Sequence, residues 1–305
     1  MIWNKFRAGP AGTQMRCPAP ANAVWRRLAG GTGGGAVPAA ATAWTMKHPD
    51  PDSLVLEFED DFDGTQLDAA KWVPTYLAHW SSREASRARY TIGDGALTLR
   101  VDPDQTPWCP DFDGGVRVSS LQTGQFSGPA GSGIGQHRFK PGLAVREAQP
   151  EQRLYTPTYG YIELRARAEL GPNHLAALWM IGFEDRPDDS GEITVMEIFG
   201  RNVGPEGTRL GHGIKRVNDP RLEQEFFEPL LPFDPADWHV YGADWRAEGV
   251  DFYLDGQRLG HVAQAPHYPM QLMLNVYDLP DLAGGDSDEP PTFTVDYVRG
   301  YRHKE

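Results

Sequence analysis

The sequence predicts an all-β fold, two antiparallel sheets packed face to face, and three observations carry that prediction. Short runs that alternate apolar and polar residues recur from residue 54 onward, separated by turn residues. No stretch longer than about ten residues holds a helical period, and nothing has the strand–helix–strand spacing of a parallel sheet. Glycine (34) and proline (26) are abundant, while 9 tryptophans, 11 tyrosines and 13 phenylalanines suit pleated, half-buried surfaces. At 305 residues a β-sandwich is commonly one domain.

The chain opens with 45 residues of different character. They hold Lys5, Arg7, Arg16, Arg26 and Arg27 and no acid, and no apolar run long enough for a signal-peptide core or a membrane span. Their "GGTGGG" follows no strand and lacks the Gly-Lys-Ser/Thr of a phosphate loop. A disordered basic leader is expected over 1–45, with the folded domain over 46–305 and Met46 as a candidate true start. With no export segment visible, the sequence by itself points to the cytoplasm. Cys17 in the leader and Cys109 in the body have no metal-type spacing, and no structural disulfide is expected.

The strands follow in order. "ALTLRV" (96–101) alternates, and a long loop is expected over 124–150. "YIELRARAEL" (161–170) sets Ile162, Leu164, Ala166, Ala168 and Leu170 against polar neighbours, the pattern of a strand with one wet face. "WHVYGADW" (238–245), "GVDFYLDG" (249–256), "MQLMLNV" (270–276) and "FTVDYVRGY" (293–301) read the same way, and Asp-Gly in "YLDGQRL" sits where a hairpin turn needs it. Trp72, Trp238 and Trp245 fall in framework stretches and are expected in the core.

"GEITVMEIFG" (191–200) breaks the alternation. In a regular strand Glu192 and Glu197 would face opposite sides, and one carboxylate would sit in an apolar layer, which is costly without a partner. One extra residue bulged at Val195 or Met196 resets the parity. Glu192, Thr194 and Glu197 then share a face, and Ile193, one of Val195 or Met196, and Ile198 turn inward. Four effective strand steps put the two backbones about 13 Å apart, a gap that glutamate side chains can largely close. Two carboxyl groups about 5–5.5 Å apart are what a retaining glycosidase requires.

Several stretches in the right order then resemble glycoside hydrolase family 16, the laminarinase and agarase group with a concanavalin-like β-jelly roll. "FEDDFDGTQLDAAKW", "YGYIELRARAELGPNHLAALWMIG", "WHVYGADWRAEGVDFYLDGQRL" and "VDYVRGY" are similar to its framework over most of 55–302. "EITVME" resembles its Glu-x-Asp-x-x-Glu strand, with Thr194 at the middle position. The resemblance implies a jelly roll with a concave cleft and retaining, endo-type cleavage of a β-linked glucan or galactan by double displacement. Glu192 would be the nucleophile, Glu197 the acid/base and Thr194 the group that steadies Glu192; a transglycosylase would share every residue. It also implies Trp179 as a sugar platform, although "LAALW" keeps only one of the family's two tryptophans in that tract. Family members are usually secreted. Thr194 and Leu175 motivate the alternative of a lectin-like protein that binds without turnover, and a scaffold domain is a third reading.

Further candidates are His212 near the acid/base, Asn275 for a sugar hydroxyl, and Trp80, Arg83 and Trp108 in loops flanking a cleft. The resemblance also implies a structural calcium site at Asp296 and Gly95, a hard cation on oxygen ligands, with a turn acid as the equal alternative; "GDSDE" (285–289) lacks the rest of a calcium loop. No cofactor is expected for the chemistry. The chain's net charge is −13, and the leader's +5 leaves −18 on the remaining 260 residues. A body that acidic repels phosphate backbones, so no nucleic acid or anionic membrane is expected as a partner. A polysaccharide and a monomeric state are.

Overall fold

The computed structural model describes residues 49–280, 282 and 289–304. The leader, Met46, Cys17 and all but the last residue of 285–289 lie outside the described residues. Among the described residues fourteen strands build the two large sheets: β1 Leu54–Asp60, β2 Arg89–Gly93, β3 Ala96–Arg100, β4 Arg117–Gln122, β5 Gly160–Glu169, β6 His174–Gly182, β7 Glu192–Phe199, β8 Gly211–Lys215, β9 Glu225–Phe227, β10 His239–Arg246, β11 Gly249–Leu254, β12 Gln257–Val262, β13 Met270–Asp278 and β14 Thr292–His303. They form two antiparallel sheets, in the orders β12-β11-β10-β5-β14-β3-β2, with β1 also paired to β14, and β9-β8-β7-β6-β13-β4. This is a β-jelly-roll sandwich.

The alternation that predicts the strands also assigns their faces. In β5, Ile162, Leu164, Ala166 and Ala168 enter the core, while Arg165 and Arg167 turn outward. From the second sheet, Ala176, Leu178, Met180, Ile193, Ile198, Leu272, Leu274 and Val276 meet them across the interface. Burial of the larger of these side chains is worth about 1.5–3 kcal/mol each, so a one-residue slip of register is strongly opposed. Asp255 and Gly256 both take left-handed φ (47° and 74°), the conformation an Asp-Gly hairpin turn requires.

Trp72 and Trp245 are core residues, with their indole N–H groups donating to Asp60 Oδ2 (2.8 Å) and Pro266 O (3.1 Å). Trp238 is not. It is half-buried on the outer face, where the Arg165 and Arg167 guanidinia lie over its ring at 4.8 and 5.1 Å, a cation–π arrangement that its framework position does not reveal.

The segment 124–150 is more structured than a free loop. Gly124–Gln125 pairs with Gln152–Arg153, and the chain between them is pinned back onto the body. His79 Nε2 and Trp80 Nε1 lie 2.9 and 2.8 Å from Gln136 O, Arg146 N donates to His79 O, and His137 N donates to the Glu184 carboxyl group. At Gly135 a Cβ would come within 2.5 Å of His79 Cδ2, so a close backbone approach requires glycine there.

Candidate active site

The pairing of β7 with its neighbours carries the bulge that the two glutamates require. Against β6 the register runs Ile181↔Glu192, Met180↔Ile193 and Trp179↔Thr194, then steps to Leu178↔Met196 and Ala177↔Glu197, leaving Val195 unpaired. Against β8 it runs Lys215↔Glu192, Ile214↔Ile193 and Gly213↔Thr194, then Gly211↔Glu197. Val195 and Met196 both enter the core rather than one of them. Glu192, Thr194 and Glu197 consequently share the face turned away from the core.

On that face the groups are close. Thr194 Oγ1 donates to Glu192 Oε1 at 2.7 Å. The Lys215 ammonium lies 3.0 Å from Glu192 Oε1 and 2.8 Å from Glu197 Oε2, so these two carboxylate oxygens are no farther apart than the sum, 5.8 Å. Glu192 Oε2 is buried and has no hydrogen-bond partner, a state that costs about 1–3 kcal/mol for an acceptor removed from water. The Lys215 side chain is 12% exposed. Burial alone would lower its proton affinity, but the charges and hydrogen bonds of Glu192 and Glu197 outweigh burial and raise it above the usual lysine value. The Phe226 ring lies 4.5 Å from its Nζ.

Room for this cluster comes from β8. Gly211, Gly213 and Lys215 point to the acids' side; a Cβ at Gly211 would meet Phe226 at 2.7 Å and Glu197 Cβ at 3.1 Å, and Gly213 has φ +139°. Across β6 and β13, Trp179 Nε1 donates to Asn275 Oδ1 at 2.5 Å, leaving Asn275 Nδ2 buried without a partner. His137, from the covering segment, meets the Trp179 ring edge-on at 5.1 Å, and burial lowers its pKa to about 3, so it is neutral. The Tyr277 hydroxyl is held far above its ordinary pKa by burial, then by Tyr76, Glu192 and Glu197, and stays protonated.

The other sequence candidates are placed elsewhere. His212 has the inward parity of β8: its ring lies against core Phe252 at 5.2 Å and its Nδ1 is 3.2 Å from Leu210 O, so it does not approach Glu197. Trp80 and Trp108 are buried as the base on which 124–150 rests, with Trp108 Nε1 donating to Asp113 Oδ2. Arg83 borders a separate pocket of about 560 Å³ with Arg87, Tyr90, Gln125 and Gln152, none of which belongs to the acids' cluster. The Asp296 carboxylate is engaged by Arg165 at 2.6 Å, and Gly95 stands in a left-handed turn (φ 69°) beside Asp63. Asp296 Oδ2 is thus already paired with a cation, and among the described residues no group of three or more His, Cys, Asp or Glu side chains could hold a metal.

Lys215, Phe226, Tyr277 and His137 escape the sequence reading. For the first a signal exists: Gly211, Gly213 and Lys215 share a parity opposite to His212, so only one of the two basic residues can face the acids. For His137 there is none, because it arrives through the fold of 124–150.

The model of "Glycosyl hydrolases family 16" matches residues 153–299. A beta-glucanase of Rhodothermus marinus is 30% identical over 241 residues, covering 67% of this chain and 82% of that protein. Glucan endo-1,3-beta-glucosidase A1 of Niallia circulans is 26% identical over 300 residues, covering 85% of this chain. Among solved structures, a GlcNAcα1-4Gal-releasing endo-β-galactosidase from Clostridium perfringens superposes with a TM-score of 0.72 at 28% identity over 85% of this chain. The chain spans 39% of the length of the Niallia circulans protein and 65% of the Clostridium perfringens chain.

Proposed function

The chain belongs to family 16 of the glycosyl hydrolases, and from that membership we propose that it cleaves internal bonds of a β-linked glucan or galactan with retention of configuration. The observation that carries the stereochemical part is the limit of 5.8 Å between Glu192 Oε1 and Glu197 Oε2 set by their common ammonium. Retaining enzymes hold their carboxyl groups about 5–5.5 Å apart, whereas inverting ones leave about 6.5–9.5 Å for a water.

Glu192 Oε2 is the attacking oxygen, since Oε1 is already held by Thr194 and Lys215. Its electron pair forms the bond to the anomeric carbon as the glycosidic C–O bond breaks, and Glu197 gives its proton to the departing oxygen. Water then attacks the same carbon, passes a proton to Glu197 and releases Glu192. Thr194 fixes the Glu192 rotamer without adding a charge. Trp179 and Phe226 supply apolar faces for sugar rings.

The test is reducing-end release from laminarin, mixed-linkage glucan, agarose and carrageenan, with product anomers followed by NMR. Glu192→Gln and Glu197→Gln are each expected to lower release by at least about 10³-fold while polymer binding remains measurable. Undiminished release by either variant, or α-anomers as first products, refutes the assignment. Retention of a polymer by the unmutated protein without release favours the lectin-like alternative.

A further inference from the structure

We infer that Lys215 is a positioning residue that serves as the common counter-ion of both halves of the reaction, pairing first with Glu192 and then with Glu197. The inference rests on the double-displacement reading and goes beyond it. Its ground is geometric: a single ammonium lies 3.0 Å from one acid and 2.8 Å from the other, in a cluster where no side chain is more than 12% exposed.

The charges balance only with Lys215 included. Double displacement requires an ionised Glu192 and a protonated Glu197 before attack, which with the ammonium sum to zero. Attack turns Glu192 into a neutral ester while Glu197, having given its proton to the leaving oxygen, becomes the carboxylate. The sum is again zero, because negative charge has moved from one neighbour of Lys215 to the other. Deglycosylation reverses this: the proton from water returns to Glu197 as the ester bond breaks. At no stage does a buried carboxylate stand without a cation, the condition that is most costly in a site withdrawn from solvent. Without Lys215 each state would carry an uncompensated charge, and Glu192 would lose one of the two groups that hold Oε1.

The position is suited to the role. Lys215 sits opposite Glu192 on β8, and Gly213 and Gly211 place no side chain between its ammonium and Glu197. The Phe226 ring at 4.5 Å closes one side of the ammonium with an apolar wall and a favourable quadrupole. Both carboxylates draw on the same three donors, which leaves little for an anionic group on a substrate.

The experiment compares the parent chain with Lys215→Met and Lys215→Arg on laminarin and on agarose, with Glu192→Gln and Glu197→Gln alongside. On whichever polymer the parent cleaves, Lys215→Met is expected to lose about 100-fold in kcat, with KM within about threefold because Lys215 is engaged by the two acids. Lys215→Arg, which keeps the charge, is expected to recover most of that loss. A folded Lys215→Met with kcat within about threefold of the parent, or an Arg variant as slow as the Met variant, overturns the inference. If Lys215→Met does not fold, ¹⁵N-lysine NMR of the parent decides. The Lys215 ammonium signal, identified by its loss in Lys215→Arg, must persist and shift when Glu192 is trapped by a 2,4-dinitrophenyl 2-deoxy-2-fluoro-β-laminaribioside or its galactoside counterpart. A signal that vanishes or stays unmoved overturns it. A parent inert on these two and on the mixed-linkage glucan and carrageenan of the wider panel, or Gln variants that still release sugar, overturns instead the double-displacement reading beneath it.

Discussion

Glu192 carries one oxygen that is bonded twice and one that is bonded to nothing, and that asymmetry comes from its neighbours. Thr194 stands two residues along on the same face, so its hydroxyl reaches Oε1 directly and leaves Oε2 without a hydrogen-bond partner, as the proposed attack requires. Thr194→Val keeps the shape and removes the donor. It is expected to lower kcat about tenfold, since a mobile carboxylate spends less time in the attacking rotamer, and to lower stability by about 1 kcal/mol. Steady-state kinetics and denaturant unfolding check the two numbers; an unchanged kcat would leave Lys215 as the sole group that orients Glu192. The two glutamates and Thr194 are legible in the sequence because parity alone makes Glu197 anomalous unless the strand bulges. For His212 and Lys215 the same parity argument corrects a choice made on residue type. Histidine is the more familiar site residue, but the two have opposite parities on β8, and the one that faces the acids is lysine.

At the scale of elements, strands are legible because one face of each is dry, and the alternation records which. The segment 124–150 has no such record. It is held by scattered contacts, among them those to Trp80, His79, Gln271 and Glu184, and the sequence presents Trp80 and Trp108 as loop residues flanking a cleft because their burial depends on how that segment folds back. Glu184 gives this contact a pH dependence. Burial pushes its carboxyl up to about 8, with the His137 N–H opposing the shift and the Asp189 charge adding to it. Because the folded-state pKa is raised above the ordinary 4.5, the folded form binds the proton more tightly. Stability from this group is therefore full below pH 4.5, declines as pH rises towards 8, and is level above that. Glu184→Gln keeps an acceptor for His137 N–H and cannot ionise, so it should remove that decline. Hydrogen exchange of the amides in 126–149, compared at pH 5 and pH 8 after correction for the intrinsic rate, is expected to speed up in the parent and stay flat in the variant. Equal acceleration in both would show that another group governs the segment.

At the scale of the molecule, the sandwich closes its two ends together: β1 runs antiparallel to β14 from Leu54↔His303 to Asp60↔Val298. Composition and strand count foretell two sheets, but the order of strands within them rests on contacts far apart in sequence, which no local pattern encodes. The charge is legible outright, and it bears on the substrate. An acidic body repels a sulfated polymer before any contact is made, and the lysine at the acids is already shared between two carboxylates, so the site itself adds no attraction for sulfate. A neutral β-glucan meets neither effect. The repulsion is long-ranged and acts across solvent, so salt weakens it: the screening length falls from about 14 Å at 0.05 M to about 6 Å at 0.3 M. Over that range kcat/KM for laminarin is expected to change by less than about twofold, while any cleavage of carrageenan should rise several-fold from a low base, chiefly through its association rate. The check is initial-rate kinetics on both polymers across that salt series. A carrageenan rate that falls with salt would mean that a basic surface guides the polymer in, and would move the favoured substrate from neutral to sulfated chains.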